Sequence, residues 1–303
     1  MLKPNFFIVG APKCGTTALS EYLRTHPQIF FSTPKEPFYF STDLIKSSFH
    51  TEHDYLEKCF KGSTSQHLAI GEGTTHYLYS QVAVKNIMKF NPVAKIIVML
   101  RNPIDLVYSW HSELISWGGE DIVDFKEAWN KQLARKEGIY LPKSCPPQKW
   151  LFYSEIALLG QQLERLYQSV PREQVLVILF DDFISQTPQV YNQVLQFLGV
   201  SPDGHQEFPK INENKVIRLP WLKFSMESLR ASWLGKAVIR AKKQLGIKTL
   251  GIGPLIAVFN TKIQPRPPLD PIMRKVLIEE FREDIEKLSG LLDRDLSHWV
   301  KMP

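Results

Sequence analysis

The chain has 303 residues, 44% of them hydrophobic and 12% aromatic, enough apolar material to bury a sizeable core as one α/β domain. A formal charge of +6 and a pI near 9.0 suit anionic ligands, but without zinc-finger spacing or an RNA-binding signature they do not indicate nucleic acid. Three widely spaced cysteines, Cys14, Cys59 and Cys145, argue against a disulfide framework or metal cluster, and no apolar run reaches the length of a membrane span.

Phe6-Phe7-Ile8-Val9 is an apolar run without polar alternation, which predicts a central strand covered on both faces. In the turn that follows, Gly10 and Gly15 admit backbone conformations that a Cβ hinders, and Pro12 stiffens the approach. Thr16 and Thr17 open a helix with Leu19, Tyr22 and Leu23 on its apolar side. The unpaired N–H groups of its first turn and the helix dipole make an anion cradle, to which Lys13 and the threonine hydroxyls add donors. The spacing is close to the triphosphate loop G-x-x-x-x-G-K-[ST]. Here, however, Thr16 stands where that motif has lysine and the lysine lies inside the loop, so the cradle suits a single phosphate.

Gln28 to Phe31 reads as a short strand, and Thr33-Pro34-Lys35-Glu36-Pro37 as a loop that its prolines keep from helix. Phe38, Tyr39 and Phe40 form either an acceptor wall or core packing. His67 to Gly71 reads as the next strand, entering a turn at Glu72 to Tyr77. Ser80 to Phe90 reads as a helix stopped near Pro92, and Ala94 to Leu100 as a second buried strand. That order implies a right-handed parallel crossover. Arg101-Asn102-Pro103 leads into a helix bearing Tyr108, Ser109 and Trp110. Asp124 to Lys136 and Tyr153 to Tyr167 read as helices around a proline-rich loop, Val175 to Phe180 as a strand, and Pro188 to Leu198 as a helix closed by Gly199.

These elements predict a three-layer α/β fold, a mainly parallel central sheet with helices on both faces. The turns at Lys13, Glu72 and Arg101 then lie beyond the carboxyl ends of strands, where such sheets bind ligands. One domain, 1–303, is expected, with 213–303 largely helical. Between Lys215 and Lys248 nine basic residues and one acid alternate with Trp221, Phe224 and Trp233. This basic amphipathic pattern fits a solvated face, a cover over a nucleotide, or weak contact with a membrane surface. Asp270 to Leu292 reads as a long helix with a capping aspartate, packed on the sheet and doing no chemistry. The first residues pass straight into the core strand and leave no room for a signal peptide, which predicts a cytoplasmic location.

Arg101 at a strand end and Ser109 two turns into the next helix can converge on one phosphate, the guanidinium supplying charge and the hydroxyl a directed bond. Alone, the pair is equally well a helix-capping arginine and a surface serine. Together, GAPKCGTTAL and LRNPIDLVYSW resemble the 5′-phosphosulfate loop and the 3′-phosphate motif of sulfotransferases that use 3′-phosphoadenosine 5′-phosphosulfate (PAPS). The resemblance covers most of the chain and is closest to bacterial enzymes and the glycosaminoglycan sulfotransferase domain. It implies a P-loop-like sulfotransferase fold and direct in-line transfer from PAPS to a hydroxyl or amine, with adenosine 3′,5′-bisphosphate as product and no metal required. On the matching positions, Lys13 neutralises the leaving oxygen, the backbone of Cys14, Gly15, Thr16 and Thr17 holds the 5′-phosphate, and Arg101 with Ser109 holds the 3′-phosphate. Cys14 itself is a small helix-entry residue, since direct transfer gives a thiol no task.

The resemblance also offers two bases. Glu36, in KEPFYF, matches the catalytic glutamate of the glycosaminoglycan-type enzymes, and His76 lies about where cytosolic small-molecule enzymes carry a histidine. Two positions depart from the family pattern. Gly73 follows Glu72 where many glycosaminoglycan enzymes have lysine, and Leu159 stands where related bacterial enzymes place a tyrosine before QLERL. The acceptor class is a small molecule or a carbohydrate. The competing readings are a P-loop nucleotide kinase and a non-catalytic nucleotide-binding or membrane-surface module. The kinase predicts lysine after Gly15 and an acidic strand end for Mg²⁺, where this chain has Thr16 and Arg101.

Overall fold

The computed structural model describes residues 2–211, 215–217, 261–263 and 266–302. Phe6–Gly10 forms the central strand β1, and every one of its residues is buried. Because successive strand residues point to opposite faces, this requires both faces of the sheet to be covered. Ile29–Phe31 (β2), Ala69–Gly73 (β3), Lys95–Leu100 (β4) and Val175–Leu179 (β5) complete a five-stranded sheet in the order β2-β3-β1-β4-β5. Every pairing is parallel, with Phe6 in register with Gly71 on one side and Lys95 on the other.

Among the described residues the helices are Thr16–Arg24 (α1), Glu52–Phe60 (α2), Ala83–Phe90 (α3), Pro103–Trp117 (α4), Phe125–Asn130 (α5) and Gln132–Lys136 (α6). They continue with Tyr153–Ile156 (α7), Leu159–Tyr167 (α8), Phe180–Ser185 (α9), Thr187–Leu198 (α10) and Pro271–Leu292 (α11). Asn102 caps α4 by accepting the Ile104 N–H, Pro103 occupies its first position, and Gly118 closes it in the left-handed conformation. α2, unmarked by the sequence reading, is capped by Thr51, whose side chain accepts the Asp54 N–H, and it buries Tyr55, Leu56, Cys59 and Phe60.

Several boundaries differ from expectation. β3 runs two residues further than predicted, so Glu72 lies inside a strand and not in the turn. The helix expected from Ser80 begins at Ala83, because the Ser80 hydroxyl instead accepts the N–H groups of Val82 and Ala83. The helix expected over 124–136 breaks at Lys131, and the one over 153–167 breaks ahead of Leu159. α11 docks on α8 and α4, not on the sheet. The Asp284 carboxylate on α11 accepts the N–H groups of Gly160 at 2.7 Å and Gln161 at 2.9 Å, supplying the cap that α8 lacks in its own sequence. Lys215–Ile217 (β6) and Thr261–Ile263 (β7) pair antiparallel within the part expected to be largely helical. The rest of the basic segment up to Lys248 lies outside the described residues.

Candidate functional site

The carboxyl ends of β1, β3, β4 and β5 open into one cavity of about 710 Å³. Main-chain bonds hold the rim together: Thr74 N–H donates to Ile8, Leu78 N–H to Val9 and Ala11 N–H to Met99. Gly10 makes this approach possible. Its φ is +150°, and a Cβ there would sit 2.6 Å from the Thr75 carbonyl oxygen. Gly15 takes the N-cap of α1 at φ +88°, where a Cβ would press on the Phe180 and Phe183 rings at 3.2 Å. No side chain caps this helix. Since α1 begins at Thr16, the N–H groups of Thr16, Thr17 and Ala18 have no intrahelical acceptor and face the cavity mouth.

Every catalytic or donor-binding residue proposed from sequence lines this cavity except Cys14. The Cys14 side chain is fully buried, its Sγ donates to the Pro12 carbonyl, and burial pushes its thiol up to about 12. Such a thiol stays protonated and inert, so only the main chain of this residue is available to a ligand. Lys13 reaches across the cavity to Glu113, Nζ to Oε2 at 2.9 Å. Lys13, Glu36 and Phe38 all adopt left-handed backbone conformations, with φ of 63°, 59° and 54°. Strain of this kind, spread over two loops that meet at one cavity, is characteristic of sites whose geometry matters.

Arg101, just past β4, donates from Nη1 to the Lys13 carbonyl at 3.3 Å and lies over the Phe180 ring at 4.7 Å. Ser109 points into the same region from α4. Its Oγ accepts from Arg266 Nη2 at 3.0 Å, and the Arg266 guanidinium lies over Tyr108 at 5.2 Å. Arg266 escaped the sequence reading. Its local signal is a single arginine held extended between Pro265 and Pro267. Burial, with Arg101 close by, lowers its pKa. Two neighbouring guanidiniums, a hydroxyl and a helix mouth concentrate positive charge and hydrogen-bond donors on this side of the cavity.

The two candidate bases, Glu36 and His76, are joined through Thr75. The Thr75 hydroxyl donates to Glu36 Oε2 at 3.2 Å and lies 3.2 Å from His76 Nδ1. With its one proton given to Glu36, Thr75 can only accept from His76, which fixes the Nδ1–H tautomer and leaves Nε2 with its lone pair. That Nε2 is buried and has no hydrogen-bond partner among the described residues. Burial pulls the imidazole down to about 4, so it is neutral near pH 7. Its ring stacks on Trp150 at 4.4 Å and meets Trp110 edge-on at 5.0 Å. Glu36 is more accessible: its other oxygen accepts from Lys35 at 2.7 Å, and its carboxylate borders the open cavity.

The predicted aromatic wall divides. Phe38 faces the cavity, whereas Tyr39 and Phe40 pack into a core cluster with Tyr55 and Phe90. Trp110, Trp117, Trp150 and Phe180, none foreseen as site residues, add further aromatic surface to the cavity. Leu159 is fully buried at the start of α8 and does not line the cavity. Among the described residues no group of His, Cys, Asp and Glu could hold a metal ion.

A model of the sulfotransferase domain matches residues 3–244. Carbohydrate sulfotransferase 15 of Rattus norvegicus is 26% identical over 248 residues, covering 66% of this chain and 44% of that protein. The bifunctional heparan sulfate N-deacetylase/N-sulfotransferase 3 of Mus musculus is 26% identical over 310 residues, covering 98% of this chain and 31% of that protein. The chain thus spans less than half the length of either relative. A crystallographically solved sulfotransferase from Alicyclobacillus acidocaldarius aligns with a TM-score of 0.72 at 26% identity, over 99% of this chain and 100% of that one.

Proposed function

The chain belongs to the sulfotransferase domain family, and from that premise we propose that it carries a sulfuryl group from PAPS to a hydroxyl or amine of a small-molecule or carbohydrate acceptor by direct in-line transfer. One observation carries the reading: two anion-receptive clusters, at the ends of β1 and β4, face a single cavity that also contains a carboxylate and a neutral imidazole. A bound PAPS would supply a sulfuryl group already attached to a good leaving phosphate.

The chain's own residues divide the remaining work. The N–H groups at the mouth of α1 and the hydroxyls of Thr16 and Thr17 hold the 5′-phosphate, and the left-handed Gly15 lets the backbone approach it. Arg101, Ser109 and Arg266 hold the 3′-phosphate, whose charge offsets the mutual repulsion of the two guanidiniums. Lys13 neutralises charge on the oxygen released as the acceptor oxygen bonds to sulfur. Glu36 takes the acceptor proton, because its carboxylate borders the cavity whereas His76 Nε2 is sealed. Through the Thr75 hydroxyl, His76 keeps that carboxylate aimed.

Calorimetric titration with adenosine 3′,5′-bisphosphate, with AMP and ATP as controls, tests the assignment. The bisphosphate should bind tightly and alone. Preference for ATP, or absence of binding, would overturn the two-phosphate reading.

A further inference from the structure

The cavity has two chemically different sides. Lys13, Arg101 and Arg266 gather on one; Phe38, Trp110, Trp117 and Trp150 wall the other. The walls stand nearly at right angles. Trp150 is inclined 75° to Trp110 and 88° to Trp117, at centroid separations of 5.9 and 6.2 Å, with Phe38 5.6 Å from Trp150. Glu113 stands at the seam. It lies one helical turn beyond Ser109 on α4, its side chain is 43% exposed, and Lys13 is its ion-pair partner.

A polyanionic donor at the mouth of α1 competes with Glu113 for the Lys13 ammonium and draws it away from that single contact. Once Lys13 turns, Glu113 is a carboxylate facing the cavity beside aromatic faces. That combination recognises a cation, through the ring quadrupoles and through Coulomb attraction in a partly desolvated space. It disfavours a polyanionic glycan.

Resting on the donor assignment above, we propose that Glu113 determines acceptor specificity: it holds Lys13 until the donor arrives, and then, with the aromatic wall, takes the positively charged end of a cationic acceptor such as an amino alcohol. The acceptor's hydroxyl is the nucleophile, since a protonated ammonium has no lone pair. Its proton goes to Glu36 as the new O–S bond forms and the bond from sulfur to the bridging oxygen breaks. Donor binding therefore precedes acceptor binding, because it creates the acceptor's charge partner.

The test follows tryptophan fluorescence of the whole chain, loaded with adenosine 3′,5′-bisphosphate, during titration with three probes. These are choline, its uncharged carbon isostere neohexyl alcohol, and tert-butylacetate, an anion of similar size. Choline should bind the loaded wild type about ten-fold more tightly than neohexyl alcohol, a preference within the range of a desolvated cation–π and carboxylate contact. The preference should vanish in Glu113→Gln, and in wild type without the bisphosphate. Glu113→Gln should also bind the bisphosphate more tightly than wild type, since Lys13 then leaves no ionic partner. Equal affinity for choline and its isostere on the loaded wild type, tighter binding of tert-butylacetate, or a choline preference that survives Glu113→Gln would each overturn the proposal while leaving the donor reading intact. Failure of the bisphosphate to bind would overturn both.

Discussion

Stability should fall as pH rises through neutrality, and Glu72→Gln should remove that fall. Glu72 is fully buried within β3. Its Oε1 accepts from the Tyr55 and Tyr77 hydroxyls, each at 3.0 Å, and its Oε2 from Thr74 at 3.2 Å. Burial pushes the carboxyl up from 4.5 to about 8, against the three hydroxyls that hold it down. A folded chain whose group has a raised pKa keeps its proton after the unfolded chain has lost it. The contribution to stability is therefore complete below about pH 4.5 and gone above about pH 8. Each pH unit inside that window is worth about 1.4 kcal/mol, so roughly 3 kcal/mol disappears between about pH 6 and pH 8, with little further change above. His76 has the opposite sign and another window: its depressed pKa removes stability as pH falls from 6.5 toward about 4. Urea denaturation of wild type and Glu72→Gln, compared at several pH values from about 6 to 9, isolates the effect, because the remaining groups titrate in both proteins. The wild type should lose roughly 3 kcal/mol relative to the variant. A difference that stays constant across this range would refute the reasoning.

Three further outcomes are expected. Arg135 and Glu120 form a wholly buried pair, and Tyr153 donates to the same carboxylate at 2.6 Å; Arg135→Met should cost about 3–5 kcal/mol by stranding Glu120, whereas Glu120→Leu with Arg135→Met should recover most of it in urea denaturation. A double variant as unstable as the single would count against this. Arg101→Ala should weaken binding of adenosine 3′,5′-bisphosphate by roughly 10- to 100-fold, the loss of a charge-assisted contact, while changing AMP binding much less; equal calorimetric affinities would remove Arg101 from the 3′-phosphate site. Glu36→Gln should lower turnover by roughly 10²- to 10⁴-fold with bisphosphate affinity preserved, and if His76→Ala alone produced that pattern in a radiolabelled-transfer assay the proton acceptor would be the histidine.

What could be read from sequence follows from how local each signal is. β1 and β4 are buried runs and their pattern is self-contained; the loop between Gly10 and Gly15 announces itself by residue type. Glu72 misled the placement of β3, because a carboxylate in a buried strand becomes acceptable only when Tyr55, from an unpredicted helix, and Tyr77, beyond the next turn, bring hydroxyls to it. Glu36 and His76 were legible as rivals, but the threonine that joins them was not, since a bond from Thr75 to Glu36 exists only after β3 and the 33–37 loop are packed together. Arg266 and Glu113 are farther still from local inference. One is brought to Ser109 from the far end of the chain, and the other is an ordinary helix-surface glutamate until Lys13 is placed opposite it.

The parallel order of the sheet also shapes how the chain reaches its native state. β1 lies between β3 and β4, so Phe6 needs both Gly71 and Lys95 before both of its edges are hydrogen-bonded. Until then at least one edge of an all-apolar strand must remain unpaired or pair wrongly, and each correct pairing closes a long loop first. The central strand is thus completed late even though it precedes every other strand in the chain. A nascent or truncated chain that ends ahead of β4 exposes this strand's backbone edge, so assistance from chaperones should matter more to its yield than the stability of the finished fold would suggest.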